Sequence, residues 1–151
     1  MSVVQFKRTD SSDPDFAALA QRLTQFLAKI NGEKDAFYSQ FNQSNTIPNV
    51  VVAYVEGRPV GCGAHRPVDD HASEIKRMYV DPELRGSGIG KAILAELESW
   101  VSEQGFAKAV LETSKRLDTA VGLYAKAGYQ VIPNYGPYVD APDSVCMEKL
   151  L

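Results

Sequence analysis

The sequence predicts one domain over residues 1–151, of the α/β (α+β) class, with a mixed and mostly antiparallel sheet and helices packed on it. Three observations carry that expectation. Apolar residues recur at spacings of three and four in three segments, the period of helices with one buried face. Between and after them lie β-branched runs bounded by Gly, Pro and Asp, three of them consecutive and separated only by turns, which makes a meander. The resulting order, β, α, α, three antiparallel strands, α, β, α, β, β, lacks the uniform βα alternation of a TIM barrel or a doubly wound sheet.

The chain opens with a short strand at Val3 to Arg8. Asp13 followed by Pro14 reads as an N-cap with proline at the first helical position, and Phe16, Leu19, Ala20, Leu23, Phe26, Leu27 and Ile30 then form one helical face closed by Asn31-Gly32. A weaker helical stretch, Glu33 to Gln43, carries Phe37, Tyr38 and Phe41. Val50 to Val55 and Val60 to Arg66 form a hairpin around Glu56-Gly57-Arg58-Pro59. After a polar turn, Glu74 to Val80 is the third strand, and strict alternation puts Glu74, Lys76, Met78 and Val80 on one face and Ile75, Arg77 and Tyr79 on the other. Asp81-Pro82 stops it. Ile89, Ile93, Leu94, Leu97, Trp100 and Val101 line a helix ended by Gly105, Ala107 to Thr113 is a strand, and Asp118 caps a short helix faced by Ala120, Leu123, Tyr124 and Ala127. Gly128 ends that helix before a strand at Tyr129 to Ile132, and a loop rich in proline and tyrosine leads to the last strand, Val145 to Leu150.

Sixteen Lys and Arg against 19 Asp and Glu leave a formal charge of -3. That balance opposes an electrostatically driven nucleic-acid or anionic-membrane binder. No run of about 18 apolar residues and no leader pattern is present, so a soluble, cytoplasmic protein is expected. Cys62, Cys146, His65 and His71 have no zinc or disulfide spacing, and no metal is expected.

The sharpest motif is Arg85-Gly86-Ser87-Gly88-Ile89-Gly90-Lys91, between a strand and an amphipathic helix. Three glycines in five residues let a backbone approach a ligand closely, and the helix N-terminus behind them offers unpaired N–H groups and a partial positive charge. This is anion-binding chemistry suited to a pyrophosphate. Only three residues separate Gly86 from Gly90 and Ala92 follows Lys91, so the segment is not a Walker loop; a dinucleotide fingerprint fails in both registers, at Lys91 and at Ile93.

From Glu74 to Tyr129 the sequence resembles the GNAT superfamily of acetyl-CoA-dependent N-acetyltransferases. The segments Glu74-Ile75-Lys76-Arg77-Met78-Tyr79-Val80-Asp81-Pro82, Leu84 to Gly90 and Leu123-Tyr124-Ala125-Lys126-Ala127-Gly128-Tyr129 carry the likeness, with Arg85, Gly88 and Gly90 on the family's acyl-CoA motif. The resemblance implies acetyl-CoA as cosubstrate, with its pyrophosphate against the backbone of Arg85, Gly86, Ser87, Gly88, Ile89, Gly90 and Lys91. It also implies a pantetheine arm along the backbone of Met78, Tyr79 and Val80, in a gap opened where that strand splays from Ala107 to Thr113.

In catalysis the resemblance implies Glu74 as the general base, acting through water, and Tyr124 as donor to the leaving thiolate. Tyr38, Arg77, Tyr135 and Tyr138 would flank the acceptor, a small-molecule or peptide amine, and a homodimer would be an ordinary assembly for such an enzyme. Where many members have Asn the chain has Leu117, beside Asp118 and Thr119. Cys146 as nucleophile and His65 as base are lesser candidates. A non-catalytic acyl-CoA-binding or sensing module is the alternative function.

Overall fold

A computed structural model describes residues 3–32 and 46–151. The helical stretch expected at Glu33 to Gln43, with Tyr38, lies outside the described residues. The described elements are β1 (Val4–Thr9), α1 (Pro14–Asn31), β2 (Asn49–Val55), β3 (Arg58–Pro67), β4 (Ala72–Val80), α2 (Ile89–Glu103), β5 (Lys108–Ser114), α3 (Asp118–Lys126), β6 (Gln130–Ile132) and β7 (Ser144–Leu150). The strands form one sheet in the order β1-β2-β3-β4-β5-β7-β6, antiparallel except where β4 meets β5.

Local chemistry sets the helix ends. Asp13 accepts from the N–H groups of Asp15 and Phe16 at 2.9 and 3.3 Å, and Lys7 Nζ meets its other oxygen at 2.7 Å. Gly32, at φ 55°, closes α1 with its N–H on the Ala28 carbonyl. The cap of α3 falls one residue earlier than expected, on Leu117, whose side chain makes no capping bond, and Asp118 is the first helical residue. Apolar side chains then fix which sheet face each helix covers. On one face Ile93, Leu94, Leu97 and Val101 of α2 pack with Val51, Ile75, Leu111, Met147 and Tyr124; on the other, Phe16, Leu19 and Leu23 of α1 pack with Val50, Val52, Cys62, Ala64 and Tyr79. Arg8 ties the edge strand β1 to α2, binding Glu96 and Glu103 while its guanidinium lies 5.0 Å over the Trp100 ring.

The alternation expected along β4 breaks. Its register with β3 runs from Cys62–Tyr79 to Ala64–Lys76, leaving Arg77 and Met78 opposite the single residue Gly63, and Arg77 has φ 58°. This bulge shifts the parity of the strand. Ile75, Met78 and Val80 join the α2-side core, whereas Tyr79 joins the α1-side core and Arg77 bonds to α1. Glu74 therefore shares its face with Lys76, Arg77 and Tyr79, and Met78 and Val80 turn away from it. Gly63 is what permits the arrangement: a Cβ there would lie 2.6 Å from Met78 Sδ and 2.7 Å from Leu97 Cδ1.

Candidate active site

The parallel ladder between β4 and β5 joins only Ala72–Ile75 to Lys108–Leu111, although β4 continues to Val80 and β5 to Ser114. The strands part after Ile75 and Leu111, leaving the backbone of Lys76 to Val80 unpaired on that side. At the far end of this opening stands the glycine loop. Asp81 accepts from Glu83 N–H at 3.0 Å and starts a 3-10 turn, Pro82–Leu84. Gly86 and Gly88 then adopt φ 85° and 89°, and a Cβ on either would meet no atom within 4 Å. The first bond of the α2 ladder is Ala92 N–H to Gly88 O at 3.0 Å, so the N–H groups of Ile89, Gly90 and Lys91 stand ahead of it at the positive end of the helix. Such a loop fits an incoming pyrophosphate.

The side chains around the loop have different work. Arg85 Nε donates to the Val80 carbonyl at 3.2 Å, and its guanidinium lies 5.0 Å over Phe26 and 5.8 Å over Tyr79, tying the loop to β4 and α1. Ser87 Oγ donates to the Leu84 carbonyl. Tyr79 buries its ring in one core and Met78 and Val80 pack half-buried side chains against the other, while the backbone of all three is left without a β5 partner.

Where the strands part, acidic and phenolic groups gather. Glu74, 8% exposed, accepts from Tyr135 Oη at 2.7 Å and from Lys76 Nζ at 3.3 Å. Burial first, and then Glu74, raises the phenols of Tyr135 and Tyr138 well above the usual range, so both are donors at any working pH. Tyr135 and Tyr138, expected to flank the acceptor, thus gather beside Glu74, their rings edge-on at 5.5 Å. Tyr124, 7% exposed on α3, has its phenol raised by burial and by Glu112.

Glu112 is the group the sequence reading missed. It is the residue immediately after the last β4–β5 pair, accepts from Ser144 Oγ at 2.6 Å, and has its carboxyl raised above the usual range by burial and by the neighbouring Glu74. A carboxylate inside the apolar run Ala107 to Thr113 was the available signal.

Two lesser candidates fall away. His65 is fully buried on the α2 face, its Nδ1 2.8 Å from Ser73 Oγ and its ring 5.3 Å edge-on to Trp100, and burial lowers its pKa to about 4. It faces away from Glu74. Cys146 is also fully buried, and burial raises its thiol, the opposite of what a nucleophile needs.

Residues 15–129 match the family model of the Acetyltransferase (GNAT) family. The chain belongs to that family. Among curated proteins it is similar to the IAA acetyltransferase of Azospirillum brasilense, 37% identical over 102 residues, covering 67% of each chain. It is also similar to N-acetyltransferase 8B of Homo sapiens, 37% identical over 84 residues, covering 52% of this chain and 37% of that one. The chain thus spans well under half of some of the relatives it matches.

Among solved structures, a protein described as an acyl-CoA N-acyltransferase from Klebsiella pneumoniae is 30% identical, with a TM-score of 0.81 over 99% of this chain and 98% of that one. A GNAT acetyltransferase from Elizabethkingia anophelis, with acetyl-CoA bound, shares the fold at 17% identity and a TM-score of 0.70, covering 98% of both chains. The GNAT fold accounts for the mixed, mostly antiparallel sheet with helices packed on it.

Proposed function

We propose that this chain transfers the acetyl group of acetyl-CoA to a primary amine of a small molecule or peptide, by direct attack within a ternary complex. The observation that carries the reading is the opening between β4 and β5, with the glycine loop at one end and Glu74, Tyr135 and Tyr124 at the other. Bound acetyl-CoA supplies an acetyl thioester whose C–S bond breaks as the N–C bond of the product forms, one ammonium proton being released and a second ending on sulfur.

The chain's own residues do the rest. The N–H groups of Gly86, Gly88, Ile89, Gly90 and Lys91 hold the pyrophosphate, while those of Arg85 and Ser87 close the loop on the Pro82 and Leu84 carbonyls, and the backbone of Met78, Tyr79 and Val80 pairs with the pantetheine arm and fixes the thioester at the parting of the strands. Glu74 takes the ammonium proton through a water; both its oxygens already accept from Tyr135 and Lys76, which orients the carboxylate. Glu112 adds a second carboxylate whose raised pKa suits it to share that proton. Tyr124, raised by burial, keeps its proton and stabilises the departing sulfur by hydrogen bonding rather than full transfer. Tyr38, Arg77, Tyr135 and Tyr138 are the proposed acceptor-facing residues.

Thiol release from acetyl-CoA across a panel of primary amines tests the reading. Amine-dependent release supports it. A CoA-induced rise in melting temperature with no release from any amine would instead assign the chain to binding or sensing of acyl-CoA.

A further inference from the structure

Arg77 is only 5% exposed. Its Nη2 donates to the Ala20 carbonyl at 2.6 Å and to Thr24 Oγ1 at 2.7 Å, which seats the guanidinium against α1. Its Nε and Nη1 are buried and have no hydrogen-bond partner among the described residues. A guanidinium carries five N–H donors, so three remain unused. A buried cation without a counter-charge is costly, and a fold keeps one where something else compensates it.

No described neighbour compensates it. The titratable group beside it is the Cys62 thiol, which burial pushes up to about 12; it stays neutral and donates to the Arg77 carbonyl at 3.4 Å. On the same face, Glu74 is engaged by Tyr135 and Lys76. Placing Arg77 here also costs backbone strain, since φ 58° is unfavourable for a residue with a Cβ. Without the bulge, the guanidinium would point under α2. With it, the cation lies on the face that carries Glu74, three residues away, on the stretch of β4 that has no β5 partner.

We infer that Arg77 is the carboxylate-recognition residue of the acceptor site, and that the acceptor is an amine that also bears a carboxylate, an amino acid or a related small amino-carboxylic acid. The inference rests on the acetyl-transfer reading. It goes further by fixing the acceptor's second charge: Glu74 and Glu112 attract the ammonium, and the unused N–H groups of Arg77 take the carboxylate. A phosphate of CoA is the other anion that could reach a guanidinium, and the experiment separates the two.

Acetylation of proteinogenic amino acids is measured beside that of their α-carboxamides, with wild type, Arg77→Lys and Arg77→Gln, together with CoA affinity. In wild type the best amino acid should exceed its carboxamide in kcat/KM by about ten- to a hundredfold, mostly through KM. Arg77→Gln should erase that preference, Arg77→Lys should keep part of it, and CoA affinity should stay the same in both. The wild-type comparison stands even if a variant does not fold. Equal use of acid and carboxamide by wild type, or a preference that survives in folded Arg77→Gln, overturns the inference. Loss of CoA affinity with the preference intact assigns the guanidinium to a CoA phosphate and overturns it too. If no amine is acetylated while CoA still binds, the acetyl-transfer reading fails and takes this inference with it.

Discussion

Tyr124, the proposed donor, and Glu74, the proposed base, can be tested apart. Tyr124 packs edge-on against Tyr129 at 5.8 Å in the α2-side core, and Phe preserves that packing. Tyr124→Phe should leave CoA affinity unchanged and lower turnover about ten- to a hundredfold; equal turnover would return Tyr124 to a packing role. Glu74→Gln is nearly isosteric and should cost about a hundredfold in rate near neutral pH, with the loss shrinking in alkaline solution, where the amine arrives without its extra proton. The groups facing Glu74 are Lys76 on its own strand, Tyr135 and Tyr138 from the loop before β7, and Glu112 on β5. A pH–rate profile unchanged by the substitution would reduce Glu74 to the ion-pair partner of Lys76.

At the scale of elements, the α2 N-terminus and the loop before it act together. In Gly88→Val, the side chain would project into open space where the pyrophosphate is proposed to lie, on a backbone at φ 89°. Gly105, at φ 92° with equally open surroundings, lies at the other end of α2, about 22 Å away along the helix. Both Gly88→Val and Gly105→Val should lose a few degrees of melting temperature from backbone strain. Only Gly88→Val should also lose the rise produced by CoA, and a retained rise there would discard the loop assignment.

These elements were legible because their signals are local: Asp13-Pro14 at a helix start, glycines at a turn, apolar residues every third or fourth position. The bulge in β4 was not, because Gly63, fifteen residues before Met78 and on another strand, sets it. Strict alternation therefore put Arg77, Met78, Tyr79 and Val80 on the wrong faces relative to Glu74. Glu112 was missed for a related reason: the apolar run around it marks it only as an out-of-place carboxylate, and its meaning comes from Glu74, Tyr124 and the parting strands around it.

Across the whole molecule, acid sensitivity follows from His65. Its pKa is about 6.5 in an unfolded chain and about 4 in the fold, because burial, and next the nearby Arg8, disfavour the charged ring. Below about 6.5 the unfolded state therefore binds more protons, and stability falls as pH drops from there through about 4. Thermal melts should show this decline, and His65→Gln should flatten it; a superimposable profile would remove His65 as its source. A different dependence ties fold to specificity. Gly63, Arg77 and Met78 form an interlocked set, and no member can change alone without penalty. A side chain at position 63 collides with Met78 and Leu97, while straightening β4 exchanges the guanidinium for the thioether and drives a charge among Ile93 and Leu97. Acceptor choice at this position is consequently buffered against mutational drift: a lineage that altered it would have to traverse poorly folded intermediates, or keep the kink and replace only the chemistry at its tip.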